Sequence, residues 1–254
     1  MEVPPPESGY AFVGFENLHN DIYPAISVQE TPSLKQPDKV ILITGAGRGI
    51  GRAMALQYAH AGAGAIILCA RSADELSAVE ASIKSINAGV RVHKHVLDVT
   101  SDTAVSGLAE EISAKEARLD VLINNAGHSA AWVPLHDSSP SDWWRTQEVN
   151  LKGPYLLVHA FLPLLLSTAQ HTRNVHVVNI SSMGAHGVNP LASTYGLSKL
   201  ALCRLTELID AGYANQGVVA VSVSPGGVET ALARQEMDIL KPCTWLVVCL
   251  SLQC

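Results

Sequence analysis

Short apolar segments alternate with longer amphipathic segments along most of this chain. The apolar segments are rich in β-branched residues, which favours buried strands, and they are predicted as strands over 39–44, 65–70, 90–97, 121–123, 175–180 and 218–223. Helices are predicted over 52–61, 73–86, 102–117 and 141–166, the last with a break allowed at Gly153-Pro154, and a further helix follows the fifth strand. Strands separated by helices predict an α/β fold with one parallel sheet covered on both faces.

A glycine-rich turn joins the first predicted strand to the first predicted helix. Its glycines follow the spacing Gly-x-x-x-Gly-x-Gly, and the segment contains Thr44, Gly45, Arg48, Gly49, Ile50 and Gly51. Glycine lets the backbone turn tightly and approach a pyrophosphate, and the N-terminus of a helix favours negative charge. The turn therefore predicts a nucleotide site. The alternative is a plain connection between strand and helix, which would not need three glycines.

A Tyr-x-x-x-Lys pair lies in the helix after the fifth predicted strand. Tyr195 and Lys199 are one helical turn apart and share a face, and Ser182 precedes Tyr195 by thirteen residues. A nearby ammonium lowers the pKa of a phenol, which brings it closer to the range in which a general acid or base is effective. Ser182 is the hydroxyl expected to bind a substrate oxygen, although it or Ser181 could instead cap the next segment.

Polar or small residues follow the other predicted strands as well. Arg71, Asp98, Asn125, Ser182 and Pro225 each come soon after a strand. The carboxyl ends of parallel strands form one edge of the sheet, where ligands bind. These residues are therefore predicted to belong to the same site as the glycine turn.

The joint pattern resembles the short-chain dehydrogenase/reductase family. The resemblance runs from about residue 39 to residue 230, and it rests on Thr-Gly-x-x-x-Gly-x-Gly at 44–51, Asn-Asn-Ala-Gly at 124–127, Asn150, Ser182, Tyr195, Lys199 and Pro-Gly-Gly-Val-x-Thr at 225–230. It implies a single Rossmann-like, doubly wound domain over residues 39–230. It also implies hydride transfer between a nicotinamide nucleotide and a ketone or secondary alcohol, and a homodimer or homotetramer.

The resemblance assigns roles to individual residues. Tyr195 would be the acid/base, Lys199 would lower its pKa and bind the nicotinamide ribose, and Ser182 would orient the substrate oxygen. Asn150 would help to hold a water in the proton relay, unless it is an ordinary residue of the helix surface. The implied cofactor contacts are Gly45, Arg48, Gly49, Ile50, Gly51, Arg71, Asp98, Val99, Asn125, Ala126, Gly127, Tyr195, Lys199, Pro225, Gly226, Val228 and Thr230. Asn124 is expected to connect strands rather than touch a ligand.

The choice of nicotinamide nucleotide depends on charge. An acid at the end of the second strand would bind the ribose hydroxyls of NAD, and the strand ends instead in Cys69-Ala70-Arg71. Arg71 and Arg48 could both meet a 2′-phosphate, since arginine suits bidentate phosphate contact. NADP(H) is therefore predicted over NAD(H); the alternative is that Arg71 is a solvated loop residue that stacks on adenine.

Composition narrows the remaining possibilities. The net charge of −6 gives no indication of nucleic-acid binding, and five cysteines at 69, 203, 243, 249 and 254 form no metal-binding spacing. His93 and His95 share one strand face, which is expected to be solvated, and no metal is predicted. The apolar run 155–166 is too short to span a bilayer, and no signal peptide is evident, so cytoplasmic residence without membrane contact is predicted. The surroundings of Ser182 weakly favour an apolar carbonyl compound, as in secondary metabolism.

The two ends of the chain differ from the middle. Residues 1–38 contain several prolines and little periodicity, which predicts an extended or disordered arm, although Phe12, Phe15 and Ile26 could dock on the domain. Residues 231–254 are apolar and lack a recognisable last strand of the family. They could supply a substitute strand or helix; the favoured alternative is a truncated or altered tail. That alternative leaves a second function open, a non-catalytic nucleotide-binding protein.

Overall fold

The computed structural model of the chain describes residues 22–172, 174–226, 228, 230 and 232. Six parallel strands form one sheet in the order β3-β2-β1-β4-β5-β6. The strands are β1 Val40–Thr44, β2 Ala65–Ala70, β3 Arg91–Val96, β4 Val121–Asn124, β5 Val175–Ile180 and β6 Val218–Val223. The helices are α1 Gly49–His60, α2 Ala73–Ile86, α3 Asp102–Glu116, α4 Pro140–Gln147, α5 Gly153–Ala169 and α6 Ser193–Tyr213. The predicted α/β fold with a parallel sheet is confirmed.

Helices cover both faces of the sheet, which explains why its strands are apolar throughout. In β1, Val40 and Leu42 belong to the core formed with α3 and α5, whereas Ile41 and Ile43 belong to the core formed with α1 and α2. Because successive side chains of a strand point to opposite faces, a strand buried on both faces has no polar alternation. The order of the strands reverses between β1 and β4, so their carboxyl ends form a crevice suited to a ligand.

The long predicted helix is continuous but changes its winding. A π-turn, Glu148–Lys152, lies between α4 and α5, so the interruption precedes Gly153-Pro154 instead of falling on it. Pro154 then occupies the first turn of α5, where proline is tolerated. The continuous segment of 30 residues, Pro140–Ala169, is long and apolar enough to cross a membrane, contrary to the length expected from 155–166 alone. Within it, Leu157, Phe161 and Leu165 are buried against the sheet, as in a core helix.

The ends of the described region are partly informative. Residues 22–38 form two short 3-10 turns, Pro24–Ile26 and Pro32–Leu34; Leu34 is buried, and the Gln36 amide donates to the Ala61 carbonyl over 2.8 Å. The expectations for residues 1–21 and for the tail from residue 233 onward lie outside the described residues. Within the described part of the chain, β6 is an edge strand that pairs only with β5.

The two histidines of β3 face α3 rather than solvent, so the expectation of a solvated face is wrong. His93 Nε2 lies 2.6 Å from Glu116 Oε1, and His95 Nδ1 lies 3.8 Å from Glu111 Oε2. This arises because β3 is the edge strand whose half-buried side packs on α3. Among the residues that the structure describes, no group of three His, Cys, Asp or Glu side chains is placed to hold a metal ion.

Candidate active site

The glycine turn has a geometry that side chains would disrupt. Gly45 and Gly49 have φ angles of 65° and 55°, which L-residues rarely adopt. A Cβ atom on Gly51 would lie 2.3 Å from the Gly45 carbonyl oxygen, so the start of α1 packs directly on the turn. Ile50 is half-buried in the first turn of α1, beside these glycines. The turn thus presents bare backbone at a helix N-terminus, as a pyrophosphate requires.

Hydrogen bonds from the end of β4 fix this turn in place. The Thr44 hydroxyl accepts from the amides of Asn125 and Ala126 at 2.9 and 3.0 Å, and Asn125 Nδ2 donates to the Thr44 carbonyl at 2.8 Å. Asn124 donates instead to Asn179 Oδ1 over 2.8 Å, so it connects β4 with β5 as expected. Ala126 is half-buried and Gly127 is exposed at the edge of the crevice. The Asn-Asn-Ala-Gly motif therefore stabilises the glycine turn by hydrogen bonds and also lines the edge of the crevice.

The two arginines predicted to meet a phosphate both lie at the surface of the nucleotide crevice. Arg71 is exposed after β2, and the side chain of Arg48 is 67% exposed. Glu75, an acid that the sequence reasoning did not include, lies 3.9 Å from Arg48 and touches the turn at Gly47. The sequence does contain a motif that indicates Glu75. Ser72 caps α2 by accepting a hydrogen bond from the Glu75 amide, and Ser-x-x-Glu is the sequence of a capping box.

Asp98 and Val99 follow β3 and are held by helix α4. Asp98 accepts from the Thr100 amide and hydroxyl at 3.0 and 2.7 Å, and from Arg145 Nη2 at 2.8 Å. Burial acts to raise the pKa of Asp98, but these hydrogen bonds and the charge of Arg145 outweigh it and lower the pKa to about 2. Val99 is buried against Gly153 at the start of α5. No sequence motif indicates Arg145, which is 47 residues away from Asp98 along the chain.

Ser182, Tyr195 and Lys199 lie together at the carboxyl end of β5. The Ser182 hydroxyl and the Tyr195 ring both lie beside Gly184, close enough for Ser182 to lower the pKa of the phenol, and Lys199 Nζ lies 5.6 Å from the centre of the Tyr195 ring. Ser181 instead turns into α6, where its hydroxyl donates to the Lys199 carbonyl. Ser182 also accepts from the Gly184 amide at 3.1 Å, so it caps the next turn as well as facing the phenol.

The pKa of the Tyr195 phenol differs from the expectation. Burial raises it, and the hydrogen bond with Ser182 opposes that effect without reversing it. Lys199 Nζ is directed at the Ile180 carbonyl, to which it donates over 2.8 Å, and burial lowers the pKa of Lys199 to about 8. The expected net lowering of the Tyr195 pKa is therefore wrong for this structure, because desolvation of the phenol is the larger effect.

Asn150 is fully buried in the π-turn, which excludes the interpretation as a helix-surface residue. Its Oδ1 accepts from the His128 amide at 2.8 Å, and its Nδ2 donates to the His128 carbonyl and to Ser198 Oγ at 2.8 and 3.0 Å. The side chain thus ties the loop after β4 to α6, one residue before Lys199. With these three bonds made, the Asn150 side chain has little capacity left for a water.

The segment after β6 lies against the glycine turn. Pro225 is half-buried, Gly226 has a φ angle of 75°, and the Val228 amide donates to the Gly226 carbonyl at 3.2 Å. A Cβ atom on Gly49 would lie 3.4 Å from Thr230 Cγ2. The structure therefore brings Thr230 against the glycine turn, and Pro225, Gly226 and Val228 lie between β6 and that contact.

The fold and this arrangement define a class of protein: a nucleotide-binding α/β protein with a Ser-Tyr-Lys group at the carboxyl edge of its sheet, beside the end of β5. A family model described as short chain dehydrogenase matches residues 39–239. The short chain dehydrogenase mpl6 of Monascus purpureus is 41% identical over 232 residues, covering 90% of this chain and 76% of that protein. The chain belongs to the short-chain dehydrogenase family of oxidoreductases.

Solved structures agree with this assignment. NAD⁺-bound xylitol dehydrogenase superposes with a TM-score of 0.73 at 32% identity, covering 81% of this chain and 76% of that one. A metagenomic short-chain oxidoreductase in complex with NADP superposes with a TM-score of 0.68 at 34% identity, covering 80% and 89%. A nicotinamide nucleotide is thus the cofactor class, and both forms of it occur among similar structures.

Proposed function

We propose that this protein is an NADP(H)-dependent reductase or dehydrogenase that interconverts a ketone and a secondary alcohol. The observation that supports it most is the convergence of Ser182, Tyr195 and Lys199 at the end of β5, on the same sheet edge as the glycine turn. A hydroxyl pair beside a nucleotide crevice can bind a carbonyl oxygen and give it a proton. A nucleotide site alone would not need that pair.

The crevice fits the cofactor because its glycine turn presents backbone at the start of α1, packed so closely that a Cβ atom on Gly45 or Gly51 would collide with neighbouring protein atoms. In this proposal the turn 45–51 holds the pyrophosphate, and 98–99 and 125–127 line the adenosine half. Lys199 binds the nicotinamide ribose, and the segment with Val228 and Thr230 approaches the carboxamide. When bound, the nucleotide supplies or accepts the hydride; the protein's residues orient the two reactants and move the proton.

Proton transfer is assigned to Tyr195. In the direction of reduction its O–H protonates the carbonyl oxygen while the Ser182 hydroxyl donates a hydrogen bond to the same oxygen. An ordinary phenol, with a pKa of about 10, is already protonated at neutral pH, and burial raises the pKa of Tyr195 further. The Asn150 side chain already makes three hydrogen bonds, so in this proposal it positions the His128 loop against α6 rather than holding a water of the proton relay.

The preference for NADP(H) rests on Arg48 and Arg71. Both cations are exposed at the crevice, where they could pair with a 2′-phosphate, and the weak contact of Arg48 with Glu75 leaves its guanidinium available. The test is the ratio of kcat/KM for NADPH and NADH with wild type, Arg48→Ala and Arg71→Ala. The proposal expects the ratio to favour NADPH and to fall about tenfold or more in either variant. Arg204→Ala, which removes an exposed arginine of α6 that pairs with Glu207, is the control.

The activity itself is tested with the full chain. Ketones and alcohols are supplied with NADPH or NADP⁺, and absorbance at the reduced nicotinamide band follows turnover, while fluorescence measures nucleotide binding. Turnover of any ketone supports the proposal. Nucleotide binding without turnover of any compound would instead support a non-catalytic nucleotide-binding protein.

A further inference from the structure

Trp132 lies beside the reactive phenol and has no role in the proposed chemistry. Its ring centre is 6.3 Å from that of Tyr195, with the two planes at 37°. It belongs to the irregular loop between β4 and α4, and sequence reasoning had assigned it no function. A partly exposed indole next to the proposed catalytic hydroxyl is well placed to contact a substrate bound by that hydroxyl.

Hydrogen bonds hold the loop and the indole in one place. Trp132 Nε1 donates to Ser129 Oγ at 3.0 Å, and Ser129 is buried and donates in turn to the Ala130 carbonyl. The Ala130 amide donates to Thr146 Oγ1 at 3.1 Å, which anchors the loop to α4. The polar edge of the indole is therefore satisfied within the protein, and its faces remain for apolar contact.

We propose that Trp132 forms one side of the substrate site and selects a neutral carbonyl compound whose reacting group is conjugated to a flat ring system. This inference rests on the proposed function. A substrate oxygen must come within hydrogen-bond reach of Tyr195 and Ser182, so the atoms next to the carbonyl carbon lie within the reach of the indole. Flat rings gain from tilted or offset contact with an indole at ring separations of about 4.5–7 Å.

The charge around the loop argues against an acidic substrate. Neighbours of Trp132 line a cavity of about 140 Å³ together with two carboxylates; the lining includes Ala130, Ala131, Val133, Asp137 and Asp142. A substituent that extends from the site into this neighbouring cavity would meet the carboxylates, which repel an anion, and the small apolar side chains, which leave room for a ring. The combination favours a neutral, flat substrate over a short or ionised aldehyde or ketone.

The experiment compares matched pairs of ketones, each an aromatic member and its saturated counterpart, such as 1-tetralone and 1-decalone. Wild type is expected to prefer the flat member of each pair in kcat/KM. Trp132→Leu, which keeps apolar volume without a ring, should lower kcat/KM for the flat member about tenfold and leave the saturated member within about threefold. Trp132→Phe should recover part of the preference. Trp144→Leu, at an indole that is 65% exposed on α4, is the matched control and should leave the preference unchanged.

The possible outcomes distinguish the proposed role of Trp132 from the proposed reductase activity. Equal losses on both members of every pair would show a merely structural role for Trp132, and an unchanged preference would show none; either overturns the inference while turnover supports the reductase. Preference for a carboxylated tetralone would overturn the neutral-substrate part. If wild type reduces no ketone with either nucleotide, the proposed function fails and the inference with it. NADPH affinity should be the same in all variants.

Discussion

The nucleotide half and the catalytic half of the site are built in different ways. The nucleotide half uses backbone: four glycines within the seven residues 45–51, fixed by Thr44 and Asn125. The catalytic half uses buried side chains from distant segments, with Asn150 joining the loop at His128 to Ser198 of α6. A substitution that adds a Cβ atom to a glycine should therefore damage the nucleotide half. A substitution that removes a polar side-chain group should damage the catalytic half. The contrast predicts different losses, of nucleotide affinity in one half and of turnover in the other.

The largest effect is expected at Tyr195. Tyr195→Phe removes the proton donor and should lower kcat by about 10²–10⁴-fold, the usual contribution of a general acid. NADPH affinity should stay within about twofold of wild type, because the proposed nucleotide contacts remain. Turnover and nucleotide fluorescence measure the two quantities. Tyr155→Phe, at an exposed tyrosine of α5, is the control; near-normal turnover in Tyr195→Phe would remove the residue from the mechanism.

Gly51→Ala reverses the pattern. The new Cβ would lie 2.3 Å from the Gly45 carbonyl, so the turn must shift; NADPH affinity should fall at least tenfold and the free energy of unfolding by about 1–3 kcal/mol. Gly107→Ala, on α3 with open space around it, is the control and should raise stability by about 0.5–1 kcal/mol. Urea unfolding and nucleotide titration measure both. Unchanged affinity in Gly51→Ala would mean that the turn does not hold the pyrophosphate.

Asn150→Ala tests whether the buried network belongs to the catalytic half alone. It leaves the His128 amide and carbonyl without their partner and removes one of the two hydrogen bonds of the Ser198 hydroxyl, which still donates to the Tyr195 carbonyl; this should cost about 1–3 kcal/mol of stability and lower kcat more than nucleotide affinity. Thermal unfolding and single-turnover reduction are the measurements. A loss of affinity as large as the loss of kcat would show that the two halves are not separable here. Asn87→Ala, at the end of α2, serves as control.

The smallest effect concerns acid stability at the border of the two halves, where Arg145 pairs with Asp98. Because the folded pKa of Asp98 is lowered to about 2, its contribution is present above the unfolded value of about 3.9 and is lost as pH falls toward 2. Arg145→Gln should lower stability at pH 5 by under about 1 kcal/mol, since the pair is partly exposed. The difference from wild type should shrink as pH falls from 4 to 2. A difference independent of pH would contradict the ion pair as its cause.

Contiguous signals made the nucleotide half predictable from sequence. The glycine turn, the bounds of β2 and α2, and the strand-connecting role of Asn124 follow from neighbouring residues, and Glu75 could have been found from its capping box. The contacts of Arg145 with Asp98, of Asn150 with His128 and Ser198, and of Trp132 with Tyr195 could not be predicted, because they join segments that only the folded chain brings together. The direction of the Tyr195 pKa shift was not predicted for a related reason: burial of the phenol, a property of the folded protein, raises its pKa more than the Ser182 hydrogen bond lowers it.

The π-turn has a consequence for how this site can change. A π-turn adds one residue to a helix, and one residue rotates everything beyond it by about 100°. On one side of Glu148–Lys152 the helix holds Arg145 toward Asp98, and on the other it buries Phe161 against the sheet. Deleting any one of these five residues would rewind the segment and swing one end out of phase with the other. The rotation of α4 relative to α5 therefore depends on the number of residues in the π-turn. A substitution leaves that number unchanged, whereas a single deletion changes it.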